Sequence, residues 1–175
     1  MADAILGLGS NIGDRAGFLT GALRAIDSRA DCSLVTVSSA YRTRPWGKTD
    51  QGEFINLCAR VETSLSPIDL LDAVKGIEVD LGRSTTERWG PREIDIDVLV
   101  MGTLRVDAPK LTLPHPRIGE RLFVLMPLAE IAPDLMIDGA GVSALAEALA
   151  TASHPKACVM DTGITARIKA AISGA

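Results

Sequence analysis

The order of its predicted elements places this chain in the α+β class, with a mainly antiparallel sheet covered by helices. Three observations predict this. A two-residue apolar repeat runs through residues 54–63 and again through 94–101, the period of a strand with one face buried. Apolar residues spaced three and four apart follow Asp14 and Ser66, and both residue types cap helices well. In order, the chain reads strand, helix, strand, strand, helix, strand, the order of a ferredoxin-like sandwich.

Residues 4–8 form a short apolar run that predicts a central strand. The stretch Gly7-Leu8-Gly9-Ser10-Asn11-Ile12-Gly13 then gives the backbone a tight exit from it. Strand, glycines and helix also outline a dinucleotide-binding turn, but the spacing here is G-x-G-x-x-x-G rather than G-x-G-x-x-G. Asp14 opens a helix whose apolar positions are Phe18, Leu19, Ala22, Leu23 and Ile26. Residues 34–41 read as one strand, followed by a long polar loop from Arg42 to Gly52. Long loops between strands tend to carry function. In the strand 54–63, Ile55, Leu57, Ala59 and Val61 share one face; Phe54, Asn56, Cys58 and Arg60 share the other. Asn56 beside an aromatic suits the polar edge of a flat heterocycle, and equally an edge-strand asparagine in solvent.

Ser66-Pro67-Ile68-Asp69 starts the second helix, with serine at the cap and proline in the first turn. Leu70, Leu71, Val74, Ile77 and Leu81 form its buried stripe, and Gly82 ends it. Gly102 closes the strand 94–101, and a short strand is expected at 104–106. Leu113-Pro114-His115-Pro116 reads as a rigid corner, its histidine facing a phosphate or bonded to backbone. An apolar helix follows over 123–131, and residues 144–152 and 166–171 predict amphipathic helices in an Ala-rich tail.

At 175 residues and 47% hydrophobic content the chain is long enough for one domain with a substantial core. No apolar run approaches the length of a membrane span, and the start carries no basic stretch before an apolar one, so we expect neither membrane insertion nor a signal peptide. Three widely spaced cysteines, none in a C-x-x-C pattern, read as reduced cytoplasmic thiols and argue against a zinc site. A net charge of −4 argues against nucleic-acid binding. The basic residues Arg83, Arg88, Arg92, Lys110, Arg117 and Arg121 are grouped instead, which suits a small anionic ligand.

The segment Arg88-Trp89-Gly90-Pro91-Arg92-Glu93-Ile94-Asp95-Ile96-Asp97 concentrates the chemistry. On a strand Asp95 and Asp97 share a face, with α-carbons about 6.6 Å apart. Two carboxylates so placed repel each other unless a cation neutralises them, and they can lean onto one or two divalent ions. Arginines beside them suit a polyphosphate, since the guanidinium fork matches phosphate oxygens. The same arginines could instead pair with Glu87, Glu93, Asp95 and Asp97, and a D-x-D could be an ordinary solvated face; composition leaves these readings open.

Arg83, Arg88-Trp89-Gly90-Pro91-Arg92 and Ile94-Asp95-Ile96-Asp97 resemble the signature of the 6-hydroxymethyl-7,8-dihydropterin pyrophosphokinase family of folate biosynthesis. Further motifs in the same order extend the resemblance from about Ala4 to Leu135. They are Gly9-Ser10-Asn11, Ser39-Ala40-Tyr41-Arg42-Thr43, Asp50-Gln51 with Phe54-Ile55-Asn56, and Leu113-Pro114-His115-Pro116. The resemblance implies transfer of a pyrophosphoryl group from ATP to the hydroxymethyl oxygen of the reduced pterin, leaving AMP. It implies two Mg²⁺ ions on Asp95 and Asp97, with Arg83 and Arg92 contacting phosphate and sharing the catalytic role. Lys75, Glu78, Arg88, Trp89, Arg92, Lys110, Thr112, His115 and Arg121 fall at the family's ATP positions. Thr43, Arg44, Trp46, Phe54, Asn56, Trp89 and Phe123 fall at its pterin positions, with Phe54 and Phe123 sandwiching the ring. Lys110 stands where arginine is frequent, exchanging a fork for a point charge.

By the same resemblance residues 1–140 form the pyrophosphokinase domain; beyond it the resemblance fades, and the Ala-rich composition of 141–175 predicts a helical extension packed on the same domain. We expect a cytoplasmic monomer, with a dimer through the extension as the alternative. Two other functions compete: a nicotinamide-dependent oxidoreductase resting on the glycine turn, and a non-catalytic pterin- or nucleotide-binding module.

Overall fold

A computed structural model describes residues 1–44, 51–83, 91–154 and 157–174 of the chain. Along them run β1 (Ala2–Ser10), α1 (Arg15–Asp27), β2 (Cys32–Val37), β3 (Tyr41–Thr43), β4 (Phe54–Thr63) and α2 (Pro67–Asp80). Then come β5 (Asp95–Met101), β6 (Val106–Ala108), β7 (Leu111–Leu113), α3 (Leu122–Ile131), β8 (Met136–Ile137), β9 (Ala140–Gly141), α4 (Val142–Ala152), β10 (Cys158–Met160) and α5 (Thr162–Ser173). No helix among the described residues is long and apolar enough to cross a membrane.

The main sheet has the order β10-β3-β4-β1-β5, with β2 pairing β4 beyond β3. Its pairings among the described residues are all antiparallel. That removes the dinucleotide-binding reading, which needs parallel strands joined through helices. Helices cover both faces. On one, Leu6, Leu8, Ile55, Leu57, Ile94 and Ile96 pack with Leu19 and Leu23 of α1, Leu70 and Val74 of α2, and Ile168 of α5. On the other, Ile5, Cys58 and Leu99 pack under Val124, Leu125 and Leu128 of α3 and Val142 and Ala146 of α4.

The two predicted caps form. Asp14 accepts a hydrogen bond from the Gly17 amide at 3.1 Å, and Ser66 accepts one from the Asp69 amide at 3.2 Å. Four expectations need correction. The single strand 34–41 is two, because Ser38–Ala40 breaks it, and β2 and β3 take successive stretches of the same edge of β4. The alternation in β5 stops at a register shift opposite Ile5 and Leu6. Ile94, Ile96 and Val98 lie in the first core as expected, but Val100 joins Leu99 in the second and Met101 returns to the first. A β-bulge does this by adding one residue to one strand. The short strand expected at 104–106 lies instead at Val106–Ala108, where it forms a hairpin with β7. The glycines are the fourth: β1 runs on through Gly7 and Gly9, and the turn comes at Gly13, whose φ is +60°.

Candidate active site

A cleft of about 330 Å³ opens on the α3 side of the sheet. Its floor follows from register. Gly9 of β1 stands between Asp95 of β5 and Asn56 of β4, and Gly7 stands between Asp97 and Cys58. The two acids and the asparagine therefore face each other across a strip of backbone with no side chains. A Cβ added at Gly9 would lie 2.7 Å from Asn56 Oδ1, and one at Gly7 would lie 3.3 Å from Leu99. Glycine here makes room above the sheet.

At the Asn56 end the walls are Phe54, Phe123, Thr43 and Arg44. Asn56 is nearly buried, and its Nδ2 donates to Thr43 Oγ1 at 2.8 Å. This fixes the amide so that Oδ1 faces the space above Gly9. The solvent-exposed edge-strand reading of Asn56 is thus overturned, since β4 lies inside the sheet. Arg92 lies 6.0 Å from the Phe54 ring centre and Arg121 lies 5.7 Å from that of Phe123, so each aromatic carries a cation.

At the other end the acids meet cations. Asp95 accepts from Arg83 and from Arg92, each at 2.9 Å, and Lys75 Nζ stands 3.8 Å away. Burial would raise the Asp95 carboxyl, but Arg92, Lys75 and Arg83 outweigh it and hold it below the usual carboxylate range. Among the described residues, the oxygens of Asp97 meet only Lys75 and Arg121, at 3.9 and 3.8 Å. Burial would lower the Arg83 guanidinium, yet Asp95 and Glu78 raise it overall; for Arg121 burial prevails over Asp97 and lowers it. His115 lines the cleft while its Nδ1 accepts from the Arg117 amide at 3.2 Å. The backbone-bonded reading of this histidine is thus observed, and its ring also borders the cleft. Burial lowers its pKa despite Asp97; with Nδ1 accepting, Nε2 is the ring nitrogen left to face the cleft.

Glu78 and Lys75 sit differently from a cleft lining. Glu78 is 3% exposed, and it accepts from Lys75 Nζ at 2.8 Å, from the Ile96 amide at 2.6 Å and from Arg83. Lys75 Nζ also donates to the Ile96 carbonyl at 2.8 Å. These two α2 side chains occupy both backbone groups of Ile96 on β5, the last strand of the sheet. They hold the aspartates' strand and aim Arg83. Lys110 and Thr112 lie exposed on the β6–β7 hairpin, outside the cleft lining. Trp46, Arg88 and Trp89 lie outside the described residues.

Three further residues, Gly7, Gly9 and Asn11, have roles in the site that the sequence alone does not assign. Gly7 and Gly9 make the floor; their two-residue spacing within an apolar run was the available signal. Asn11, buried at the end of β1, accepts from the Arg92 amide at 2.8 Å and donates to Gln51 Oε1 at 3.0 Å. It ties Arg92 to the segment entering β4.

Among the described residues no group of three or more histidines, cysteines and carboxylates could hold a metal. Two carboxylates without a third protein ligand do not suit zinc. They do suit Mg²⁺, a hard cation that keeps waters and takes substrate phosphate oxygens into its shell. Asp97, free of short hydrogen bonds to described residues, is the better placed of the two.

Residues 5–133 match the family described as 7,8-dihydro-6-hydroxymethylpterin-pyrophosphokinase. The chain is 50% identical over 139 residues to a 2-amino-4-hydroxy-6-hydroxymethyldihydropteridine pyrophosphokinase of Methylorubrum extorquens, spanning 79% of this chain and 88% of that one. To the Bacillus subtilis protein of the same name it is 45% identical over 128 residues, spanning 73% and 77%. Among solved structures, wild-type Plasmodium falciparum HPPK-DHPS with pteroate aligns with a TM-score of 0.69 over 86% of this chain, at 16% identity. A crystal structure of HPPK-DHPS in complex with substrates gives 0.71 over 86%, at 13% identity. Those two likenesses are of fold, and this chain spans 42% and 45% of their length. On the strength of the family match and these relatives, the chain belongs to the 7,8-dihydro-6-hydroxymethylpterin-pyrophosphokinase family.

Proposed function

We propose that this cleft carries out the family's reaction, the transfer of pyrophosphate from ATP to 6-hydroxymethyl-7,8-dihydropterin in folate biosynthesis. The observation that carries the assignment is the pair of register rows Asp95–Gly9–Asn56 and Asp97–Gly7–Cys58. They set an acid pair and a fixed amide on opposite sides of a side-chain-free floor, between two phenylalanines. A flat bicyclic ring fits over Gly7 and Gly9 between Phe54 and Phe123, with Asn56 and Thr43 at its polar edge. Arg44 and, outside the described residues, Trp46 and Trp89 complete the pterin assignments.

The nucleotide's phosphates then lie toward Asp95, Asp97, Arg83, Arg92, Arg121 and His115. The hydroxymethyl oxygen attacks the β-phosphorus, the bond to the bridging oxygen of the α-phosphate breaks, and AMP leaves with that oxygen. The hydroxyl proton passes to solvent. Arg83 and Arg92, already turned toward Asp95, offer guanidinium donors to the transferred group; His115 adds its Nε2 as a further donor. Glu78 and Lys75 hold the strand and Arg83 in register, so much of their contribution is positioning. Arg88, Lys110 and Thr112 remain assigned to the nucleotide. When bound, two Mg²⁺ ions held by Asp95 and Asp97 would neutralise the triphosphate and acidify the hydroxymethyl group.

The strand order β5-β1-β4, with β2 and β3 beyond, supports the ferredoxin-like class. We assign residues 1–140 as the catalytic domain and 141–175 as an extension on it. We further assign a cytoplasmic monomer with neither nucleic acid nor membrane as partner. The reaction is tested by supplying ATP, Mg²⁺ and the pterin: AMP must appear in equal amount to the pterin diphosphate. ADP instead of AMP, or binding without turnover, would overturn it.

A further inference from the structure

The C-terminal segment holds the strand that bears Thr43. β10 pairs with β3 in the register Cys158↔Thr43, Val159↔Arg42 and Met160↔Tyr41. At the entrance to β3, both backbone groups of buried Ala40 are taken by the same segment. The Ala40 amide donates to Thr165 Oγ1 at 2.9 Å, and its carbonyl accepts from the Asp161 amide at 2.8 Å. Thr165 Oγ1 in turn donates to the Asp161 carbonyl at 2.7 Å. The Asp161 carboxylate caps α5 through the Ile164 amide at 2.9 Å and pairs with Arg42 on β3.

What β3 carries gives these bonds a functional consequence. Thr43 fixes the Asn56 amide, and Thr43, Arg44, Arg121 and Phe123 form a wall shared by two cavities. One is the cleft. The other, about 280 Å³, lies behind the wall and is lined there by Leu149, Ser153, His154 and Ala157 of the extension. With a cavity on either side, the wall's position depends on the edges of β3 and on buried Tyr41, whose hydroxyl donates to Glu130 of α3. On its inner edge β3 pairs three residues of β4; on its outer edge it has β10 and the Ala40 bonds.

We infer that residues 158–165 are a clasp that sets the pterin wall, with Thr165 and Asp161 as positioning residues for pterin recognition. The inference rests on the pterin lying beside Thr43 and Asn56, as assigned above. The clasp acts on one substrate. Its bonds end on Ala40 and β3, whereas the phosphate-facing residues stand elsewhere: Asp95 and Asp97 on β5, Arg83 after α2, Arg92 before β5, His115 after β7, and Arg121 of the wall before α3.

Thr165→Val removes the hydroxyl and leaves the buried Ala40 amide without its acceptor; Thr165→Ser keeps the hydroxyl. In steady-state AMP formation by the full chain, Thr165→Val is expected to raise the KM for the pterin about fivefold or more. The KM for ATP and kcat should stay within about twofold, and Thr165→Ser should restore the pterin KM. A tail that only stabilises the fold would lower Tm and leave the pterin KM of the folded enzyme unchanged. That outcome, or a parallel rise in both KM values, would overturn the clasp. Amide hydrogen exchange at Ala40 and Thr43 gives a readout independent of turnover. It should accelerate in Thr165→Val and not in Thr165→Ser, and unchanged exchange would refute the clasp even if the wild-type chain made no AMP.

Discussion

Gly9→Ala probes the floor of the cleft with one methyl group. The backbone at Gly9 is ordinary strand without positive φ, so alanine meets no conformational penalty there. What it meets is Asn56 Oδ1 at 2.7 Å, about 0.7 Å inside the 3.4 Å at which ordinary contact begins. Asn56 must yield, and its hydrogen bond to Thr43 Oγ1 at 2.8 Å goes with it. Losing that bond and leaving buried polar atoms poorly paired costs about 1–3 kcal/mol. For a chain of this size, about 2 kcal/mol corresponds to a fall in Tm of about 4–8 °C. Pterin recognition should suffer more than the fold, because the methyl enters the space of the ring and the Asn56 acceptor is displaced. We expect the pterin Kd, measured by calorimetry, to rise at least about tenfold, a change of about 1.4 kcal/mol. Nucleotide affinity should remain within about twofold. Gly76→Ala is the matched control: it sits within α2 with nothing within 4 Å of the added carbon, and should stabilise the chain slightly. A Gly9→Ala protein with wild-type Tm and pterin affinity would refute the floor as described.

Two other perturbations follow from the same geometry. Glu78→Ala strands the Ile96 amide, Lys75 and Arg83 around a buried gap, and should cost about 3 kcal/mol in urea denaturation. Glu78→Gln keeps an acceptor for Ile96 and should recover part of that loss; equal losses would count against the strand-holding role. Asp161 supplies the pH test. Its carboxyl is held below the ordinary 3.8 by the Ile164 amide and Arg42, so the charged form is favoured on folding. Its stabilisation is therefore present above about pH 4 and lost as the pH falls below that, through the folded-state value. Between about pH 5 and pH 3 the Tm of the wild type should fall further than that of Asp161→Asn. Identical acid profiles would contradict it.

Local signals carried the sequence reading where a residue's role is set by its neighbours along the chain. The bounds of β4 and the caps at Asp14 and Ser66 are of this kind, because a half-buried strand and a helix start each impose a pattern within a few residues. The acid pair on one face of β5 was legible for the same reason. The bulge was not: Val98-Leu99-Val100-Met101 is apolar throughout, and alternation cannot report a slip between two buried faces. Gly7 and Gly9 read as a turn because glycine weakens strands, and their purpose depends on Asn56, far along the chain. Glu78 shows a carboxylate's role fixed by a strand 18 residues on. The clasp rests on three-residue strands and single hydrogen bonds, too short for any periodicity to mark.

The most direct test of the acid pair is Asp97→Ala, with turnover and thermal unfolding measured on the same preparation. Its oxygens meet only Lys75 and Arg121 at 3.8–3.9 Å among the described residues, so removing them should leave Tm nearly unchanged. AMP formation should fall about a thousandfold. A folded Asp97→Ala protein that forms AMP at a near-normal rate would contradict the placement of the phosphates at this end of the cleft.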